Sequence, residues 1–544
     1  MWYNKSRTPG GNEKGEMIAV TKDKGFRHEE EAVLLLNKGK QGIAHLIFGR
    51  TGVILLLLAV QIVLLVLAFV KLQELYFGSA VLLSVVVALV EIGRKGNPSV
   101  KLSWVLLTMA VPVFAIPFYI VVNADVGHRL AHFRLREIDR ETAKYAPPRP
   151  ELREELAQQD GGAAQLAAYL ERKAGFPLYK NSDVKYFPLG ENMFEEVLEQ
   201  LEKARNFIFM EYFIIEEGYM WGRILSVLER KVKEGVEVRV LYDGTCAVTK
   251  VPYQYPQELQ KLGIQCKMYA PLRPLVSTHY NNRDHRKILV VDGRVAFTGG
   301  INLADEYINR RVLHGHWKDT AVMISGEAVR GFTLMFLQMW NVDTRRVENY
   351  ERYLNASFPV DAPGYILPYG DRPFDEELVG ETVYIDILNR AQRYVHITTP
   401  YLIVDNELLT ALTYAAKRGV EVVLIVPAIP DKTYVYALNQ TYYRELVEAG
   451  VEVREYTPGF VHAKMFVSDD TTAVVGSINL DYRSLYLHFE CAALLYGCAA
   501  VADVERDIQE TRAKSRVITL EDCKRRKLIW RFLGWILRPL APLM

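Results

Sequence analysis

Cysteine and net charge are the two things that this sequence has little of. The 544 residues include five cysteines, an odd number without a Cys-x-x-Cys pair, which excludes a disulfide framework. Lysine and arginine number 66 against 65 aspartates and glutamates, a formal charge of +1, so the composition does not indicate a nucleic-acid-binding protein. The sequence also lacks a Gly-x4-Gly-Lys-Ser/Thr phosphate loop, so nucleotide hydrolysis is not implied.

Hydrophobic residues, by contrast, make up 50% of the chain, and charged residues make up 24%. This balance excludes a disordered or collagen-like protein. A length of 544 residues exceeds what one compact domain usually holds, so we predict at least two folded units.

Three long apolar runs lie in a predicted transmembrane region at 46–122. Residues 51–70 contain no charge, and their length matches the roughly 20 residues that a helix needs to cross a bilayer. With the runs at 75–90 and 102–122 they predict three transmembrane helices, preceded by a tail at 1–45. For the second run, a buried helix or a re-entrant segment is the alternative. Lysine and arginine flank the runs on both sides, so the orientation in the membrane stays open.

The rest of the chain alternates between strand-like and helix-like segments, after a charged helical connector at 123–180. Strand, helix and a Gly-Val-Glu-Val turn recur in the same order, with the turn at Gly235 in one copy and Gly419 in the other. The repeat predicts an α/β fold of two duplicated domains, at 181–350 and 351–510. Each would be a sheet flanked by helices, and a pseudo-twofold axis would relate the two.

Each copy contains the same constellation, His-x-Lys-x4-Asp-x6-Gly-x2-Asn. Its members are His285, Lys287, Asp292, Gly299 and Asn302 in the first half, and His462, Lys464, Asp469, Gly476 and Asn479 in the second. A single His-x-Lys pair carries no information, because such pairs occur by chance on many strands. Five positions matched twice without a gap indicate a shared function.

This spacing suits the chemistry of a phosphate group. Residues i and i+2 of a strand point to one face, so each histidine projects together with its lysine. A permanent ammonium beside each imidazole would repel a cation, and we therefore predict no metal. The donors available to a phosphate are two cationic and two amide side chains, Lys287, Lys464, Asn302 and Asn479.

Two histidines, one from each half, provide a nucleophile and a proton carrier. One imidazole would attack phosphorus while the other protonates the leaving oxygen and later deprotonates the incoming hydroxyl. The near-symmetric halves do not reveal which histidine has which role. Candidate acceptors that would fix the tautomers lie downstream, Asp319 in the first half and Glu490 in the second. Surface salt bridges are the alternative for both.

Asp292 and Asp469 complete the candidate catalytic set through their place in the motif. Both follow apolar strand patterns, and the interpretation that we favour for them is a turn former or a structural hydrogen-bond acceptor at a strand end. The neighbouring Gly299-Gly300 and Gly476-Ser477 are predicted to let the backbone pass close to the phosphate.

The paired His-x-Lys-x4-Asp segments resemble those of the phospholipase D superfamily, and bacterial cardiolipin synthases in particular. The similarity runs from about residue 50 to the end, and the segments that carry it are Asp284–Gly293, Gly459–Lys464, Gly476–Ser484, Thr399–Leu402 and Lys101–Trp104.

This resemblance implies transfer of a phosphatidyl group between two phosphatidylglycerol molecules, giving cardiolipin and glycerol through a phosphohistidine, without a cofactor. It implies His285 as the nucleophile and His462 as the general acid and base. It also implies a multi-pass protein of the bacterial cytoplasmic membrane whose partners are phosphatidylglycerol and cardiolipin, not nucleic acid. The oligomeric state stays open.

The C-terminal segment at 511–544 adds an independent indication of lipid. Between Arg512 and Arg538 there are nine lysines and arginines against two acids, interleaved with tryptophan, leucine, isoleucine and phenylalanine. We predict a basic amphipathic helix on an anionic lipid surface. An ordinary helix that packs on the core is the alternative.

Other functions remain open on the residues alone. The same histidines would serve a phospholipase D that releases phosphatidic acid to water, or a transferase with another alcohol acceptor. A nuclease is disfavoured, since its groove should be basic. A membrane scaffold without activity is the third class.

Overall fold

The computed structural model describes residues 81–123, 126–271, 282–344, 348–355, 358–373 and 377–543, together with Val63 and Leu67. The predicted tail at 1–45 lies outside these residues, and so does the predicted span at 51–70 apart from those two positions. All five cysteines are free thiols.

The predicted third span falls on two short helices, and the predicted second span, at 75–90, lies within the described residues only from 81 onward. Residues 81–93 are helical, and the run at 102–122 is divided between α1 (Pro98–Ala110) and α2 (Pro112–Asn123). The two helices separate at Val111, because Pro112 lacks an amide hydrogen and its ring disfavours a continuous helix. Among the described residues, we find no helix that combines the length and the apolarity needed to cross a membrane.

Three helices occupy the predicted connector, α3 (Val126–Thr142), α4 (Pro150–Gln159) and α5 (Gly161–Lys173). Asp160 separates the last two, and its carboxylate accepts a hydrogen bond from the amide of Ala163 as the N-cap of α5.

The first lobe, which we define as residues 182–344, is built on a seven-stranded sheet of order β1-β8-β6-β5-β2-β3-β4. Its strands, with the separate short strand β7, are β1 (Ser182–Phe187), β2 (Phe207–Tyr212), β3 (Glu237–Asp243), β4 (Gln265–Tyr269), β5 (Lys287–Val291), β6 (Val295–Gly299), β7 (His316–Lys318) and β8 (Ala321–Gly326). The helices are α6 (Gly190–Lys203), α7 (Tyr219–Lys233), α8 (Cys246–Thr249), α9 (Tyr255–Lys261) and α10 (Val329–Trp340), and α11 (Glu351–Leu354) follows the lobe.

The second lobe, residues 365–517, is built on an eight-stranded sheet of order β19-β13-β12-β10-β15-β16-β18-β9. Its strands, with β11, β14 and β17 outside the sheet, are β9 (Tyr365–Asp371), β10 (Tyr394–Thr398), β11 (Leu402–Ile403), β12 (Glu421–Pro427), β13 (Glu452–Tyr456), β14 (Gly459–Val461), β15 (Met465–Ser468), β16 (Thr472–Gly476), β17 (Leu480–Asp481), β18 (Glu490–Tyr496) and β19 (Ser515–Val517). The helices are α12 (Val379–Arg390), α13 (Asn406–Lys417), α14 (Thr433–Glu448) and α15 (Ala500–Ala513).

Both sheets share one strand order. The series β8-β6-β5-β2-β3-β4 corresponds to β18-β16-β15-β10-β12-β13, and in both lobes the last three strands are parallel. Gly235 and Gly419 end α7 and α13 with φ of 90° and 96°, left-handed values that glycine adopts without strain. The predicted duplicated α/β fold is therefore confirmed.

Two short backbone pairings join the lobes. Strand β7 of the first lobe pairs in parallel with β14 of the second, and Asp284 forms the equivalent bridge with Phe489. Behind them, β6 and β8 pack against β16 and β18, and buried residues of both lobes form one continuous apolar core. This arrangement brings the ends of β5 and β15, where the two motifs begin, to the junction.

The C-terminal segment differs from the single basic helix that we predicted. It contains the end of α15, strand β19, α16 (Leu520–Lys524) and α17 (Leu528–Leu537). Strand β19 pairs with β13, and Thr519 starts α16 with a capping box, so the backbone turns where a continuous helix was expected. Only α17 keeps the predicted amphipathic character, with Gly534 buried and Leu528 and Trp535 exposed.

The motif aspartates lie at the far ends of the strands. Asp292 accepts hydrogen bonds from three successive backbone amides, Arg205 to Phe207, at 2.7 to 2.8 Å. Asp469 accepts equivalent bonds from Gln392 to Tyr394 at 2.8 to 3.0 Å. Asp292 lies five positions after Lys287 along the strand, a distance of about 16 Å. Their oxygens hold the starts of β2 and β10, which favours the structural interpretation of these two carboxylates over a place in the catalytic set.

We therefore expect Asp292→Ala and Asp469→Ala to lower stability rather than to abolish chemistry. Each leaves backbone amides without an acceptor, a loss of about 1–3 kcal/mol, which corresponds to a melting temperature a few degrees lower. Thermal unfolding of the purified protein measures this. Asp361→Ala, at an exposed position, is the control. An unchanged melting temperature together with lost turnover would instead support a catalytic role for the two aspartates.

Candidate active site

Both motif histidines line one cavity of about 460 Å³ between the lobes. His285 lies two residues before Lys287, which begins β5, and His462 lies between β14 and β15. Each histidine is only 7% exposed. The duplicated motif therefore supplies one imidazole from each lobe to a shared space.

Each imidazole is hydrogen-bonded to a carboxylate of the other lobe. His285 Nδ1 lies 2.9 Å from Glu490 Oε1, and His462 Nδ1 lies 2.6 Å from Asp319 Oδ2. The sequence analysis named both carboxylates as candidates, but it paired each one with the histidine of its own half. The structure pairs them crosswise instead, because β7 and the start of β18 each extend across the junction.

The backbone repeats this crosswise arrangement. The amide of His285 donates to Phe489 O at 2.9 Å, and the amide of His462 donates to Lys318 O at 2.7 Å. Each acceptor residue directly precedes the carboxylate that contacts the same histidine. Main chain and side chain of both histidines are thus held by the opposite lobe.

Burial sets the protonation of these groups. It lowers the pKa of His285 to about 3 and that of His462 to about 4, so both imidazoles are neutral near pH 7. Burial would raise the pKa of Glu490, but the neighbouring His285 and Lys287 hold it well below its usual value. Asp319 behaves in the same way beside His462 and Lys464. A neutral imidazole whose Nδ1–H donates to a carboxylate keeps a lone pair on Nε2.

The two carboxylates are supported differently. Ser477 and Ser484 both donate hydroxyl hydrogen bonds to Glu490. In the first lobe Gly300 takes the position of Ser477, and a Cβ there would lie 2.1 Å from Asp319 Oδ1. Asp319 therefore requires glycine at its side, whereas Glu490 uses the serine. Sequence reasoning missed both serines as ligands of the carboxylate, although the Gly-Gly and Gly-Ser difference was visible.

The motif lysines are almost completely buried beside their histidines. Lys464 Nζ lies 2.9 Å from His462 Nδ1, and both lysines donate to the backbone oxygen of the histidine two residues before. Burial lowers the pKa of Lys287 to about 8 and that of Lys464 to about 7. The charge of Lys287 also lowers the pKa of His462, which reflects the closeness of the two motifs. An anion would stabilise both ammonium groups.

The two asparagines also line the cavity, but with different partners. Asn302 Oδ1 accepts from the amide of Ile214 at 3.0 Å, and its Nδ2 donates to the Tyr307 hydroxyl at 2.7 Å. Asn479 Oδ1 has no hydrogen-bond partner among the described residues. Their amide groups face the same space as the histidines.

Aromatic rings, which sequence reasoning did not assign, form much of the remaining wall. Trp317 lies 5.5 Å from the ring of His462, and Phe213 lies 4.9 Å from that of His285. A third histidine, His488, lies 5.5 Å from His285. Ligand atoms of His285, His488 and Glu490 could surround a metal ion, but the ammonium of Lys287 opposes a cation there.

Comparison with known proteins agrees with this geometry. A family profile described as cardiolipin synthase, PLD-like domain, matches residues 197–340 and 384–512, which contain one motif each. A cardiolipin synthase of Alkalihalophilus pseudofirmus is 33% identical over 82% of this chain and 90% of its own length. An uncharacterized protein of Streptococcus mutans is 49% identical over 81% of this chain and 96% of its own length.

A solved structure shares the fold. The phosphatidylserine synthase of Haemophilus influenzae superposes with a TM-score of 0.52 at 15% identity, covering 66% of this chain and 93% of that one. The family match and the named relative make this chain a phosphatidyltransferase of the phospholipase D type. Within that class, it belongs to the cardiolipin synthase family.

The crosswise pairing predicts which histidine each carboxylate serves. We expect Glu490→Gln to slow modification of His285 Nε2 by diethyl pyrocarbonate and to leave His462 unchanged, because only His285 loses its charged partner. Asp319→Asn should give the reverse. Turnover should fall roughly 10²–10⁴-fold in both variants. Peptide mass spectrometry measures the two rates, and a same-lobe pattern would contradict the pairing.

The buried lysines predict a pH dependence of substrate affinity. Lys287 and Lys464 lose their charges as the pH rises through about 8 and about 7, so the site should bind a phosphodiester more weakly on the alkaline side. Short-chain phosphatidylglycerol is a suitable probe, since its phosphodiester stays monoanionic. Its Kd, measured by calorimetry, should rise with pH in the wild type and less in Lys464→Arg, which stays charged. An equal dependence in both would contradict the role of Lys464.

Proposed function

We propose that the two lobes transfer a phosphatidyl group from one phosphatidylglycerol to a second, through a phosphohistidine on His285. The observation that carries this proposal is the pair of neutral imidazoles in one cavity, each with Nδ1 held by a carboxylate of the other lobe. The assignment of His285 as nucleophile and His462 as acid and base follows the superfamily resemblance.

In the first step, His285 Nε2 attacks phosphorus and the bond from phosphorus to the glycerol oxygen breaks. His462 gives its proton to that oxygen, and glycerol leaves. His462 is neutral before substrate binds, but a bound phosphodiester anion together with Asp319 would stabilise its protonated form. Lys287, Lys464, Asn302 and Asn479 would hold the phosphate oxygens.

In the second step, His462 takes the proton from a headgroup hydroxyl of the second phosphatidylglycerol. That oxygen attacks phosphorus, the bond from phosphorus to nitrogen breaks, and His285 returns to its starting form. A phosphodiester is exchanged for a phosphodiester, so the cycle requires neither a nucleotide nor another cofactor.

We also infer that the protein is a multi-pass protein of the bacterial cytoplasmic membrane, bound to phosphatidylglycerol and cardiolipin there. Exposed apolar side chains support this: Leu89, Leu102 and Phe118 in the N-terminal helices are exposed by 66%, 57% and 55%. On α17, Leu528 and Trp535 are exposed by 78% and 73%. Ser103 of α1 donates to Pro539 O, so α1 contacts the residues that follow α17.

Product analysis tests the reaction. Purified protein with phosphatidylglycerol should yield cardiolipin and glycerol, identified by mass spectrometry, and a trapped intermediate should carry a phosphatidyl group on His285. His285→Ala and His462→Ala should both lose product by at least about 10³-fold while remaining folded. His132→Ala, on α3, is the control. Phosphatidic acid as the sole lipid product would instead indicate a phospholipase D, and another phosphatidyl ester a different alcohol acceptor.

A further inference from the structure

The two lobes differ at two positions that the repeat otherwise aligns. Asp481 follows Asn479 by two residues, whereas the residue two after Asn302 is Ala304. His488 precedes Glu490 by two residues, whereas Trp317 precedes Asp319 by two. The second lobe therefore places two polar side chains where the first lobe has apolar ones.

The rings at the second position occupy equivalent places. Trp317 lies 5.5 Å from His462 at an interplanar angle of 45°, and His488 lies 5.5 Å from His285 at 41°. The catalytic cavity thus has an indole beside one motif histidine and an imidazole beside the other. Its two ends have different chemistry although the backbone is duplicated.

The protein satisfies the hydrogen-bonding groups of this polar pair only in part. Among the described residues, Asp481 Oδ1 and both ring nitrogens of His488 are buried without a partner. Asp481 Oδ2 accepts from the Arg483 amide at 3.2 Å, which orients the carboxylate. His488 Nδ1 lies 3.7 Å from Glu490 Oε1, beyond hydrogen-bonding distance. Asp481 is 8% exposed, the His488 side chain is 10% exposed, and both line the cavity.

A buried polar atom without a hydrogen-bond partner is destabilising, so the polar atoms at this wall of the cavity need a reason. A ligand with hydroxyl groups would supply the missing hydrogen-bond partners. A hydroxyl both donates and accepts, so it can serve the carboxylate oxygen of Asp481 and either nitrogen of His488. A polyol with adjacent hydroxyls could reach both side chains at once.

We propose that Asp481 and His488 form a subsite for the hydroxyls of the glycerol headgroup. This inference rests on the proposed function, and it adds the residues that would select the alcohol. The leaving glycerol and the incoming headgroup occupy the same place, because the second step reverses the geometry of the first. One subsite therefore serves both steps and favours a polyol over water.

A donor without headgroup hydroxyls separates this subsite from the chemical step. Phosphatidyl-p-nitrophenol in nonionic detergent micelles forms the intermediate with release of p-nitrophenol, and added glycerol or water then takes the phosphatidyl group. The ratio of phosphatidylglycerol to phosphatidic acid, measured by mass spectrometry, reports the preference for glycerol. Transfer to ethanol, which has one hydroxyl, is the comparison.

In Asp481→Ala and His488→Leu we expect this ratio to fall about tenfold, while release of p-nitrophenol stays within about twofold of the wild type. His488→Gln, which keeps hydrogen-bonding groups, should retain most of the preference. Transfer to ethanol should change less than transfer to glycerol. Arg310→Ala, a substitution outside the cavity, controls for general effects.

Two results would overturn the subsite. An unchanged ratio in both variants would show that the side chains do not bind the headgroup. An equal loss of p-nitrophenol release would show that they serve the chemical step instead. If the wild type itself releases no p-nitrophenol, the phosphatidyl-transfer mechanism fails first, which distinguishes that failure from a failure of the subsite.

Discussion

The hydrogen bonds that cross from each lobe to the histidine of the other are the constraint on which the site depends. Glu490 and Asp319 are buried anions, and each is held charged by groups that include an imidazole from the opposite lobe. A buried carboxylate without such a partner would be strongly destabilising. Neither lobe alone can therefore provide a correctly oriented histidine, and the duplicated fold works as one catalytic unit.

Much of this could be predicted from the sequence. The gapless repeat indicated two copies of one α/β domain, and the His-x-Lys spacing placed each imidazole beside an ammonium. Periodicity describes each copy separately, however, and it does not show whether Asp319 meets the histidine of its own copy or of the other. The motif position of Asp292 was equally ambiguous, because a carboxylate that caps strand amides and one that acts on substrate occupy the same sequence pattern.

The two ends of the chain show a different limit of prediction from sequence. Apolar runs predicted spans, and an interleaved basic run predicted one long helix. Local features interrupt the helices expected in both segments. Pro112 separates α1 from α2, and pairing of β19 with β13 leaves α17 as a separate short helix. Hydropathy measures the preference of a segment for lipid, but proline and strand pairing decide where its backbone turns. The exposed apolar side chains of α17 nevertheless keep the character that composition indicated.

The backbone pairing at both histidines has a consequence for how molecules reach the cavity. Strand β7 pairs with β14, and Asp284 pairs with Phe489 at the other histidine. Backbone hydrogen bonds therefore join the two lobes at two points. A motion that opened the two lobes would break the backbone hydrogen bonds that align the imidazoles. Access to the imidazoles therefore cannot depend on the two lobes moving apart at these pairings.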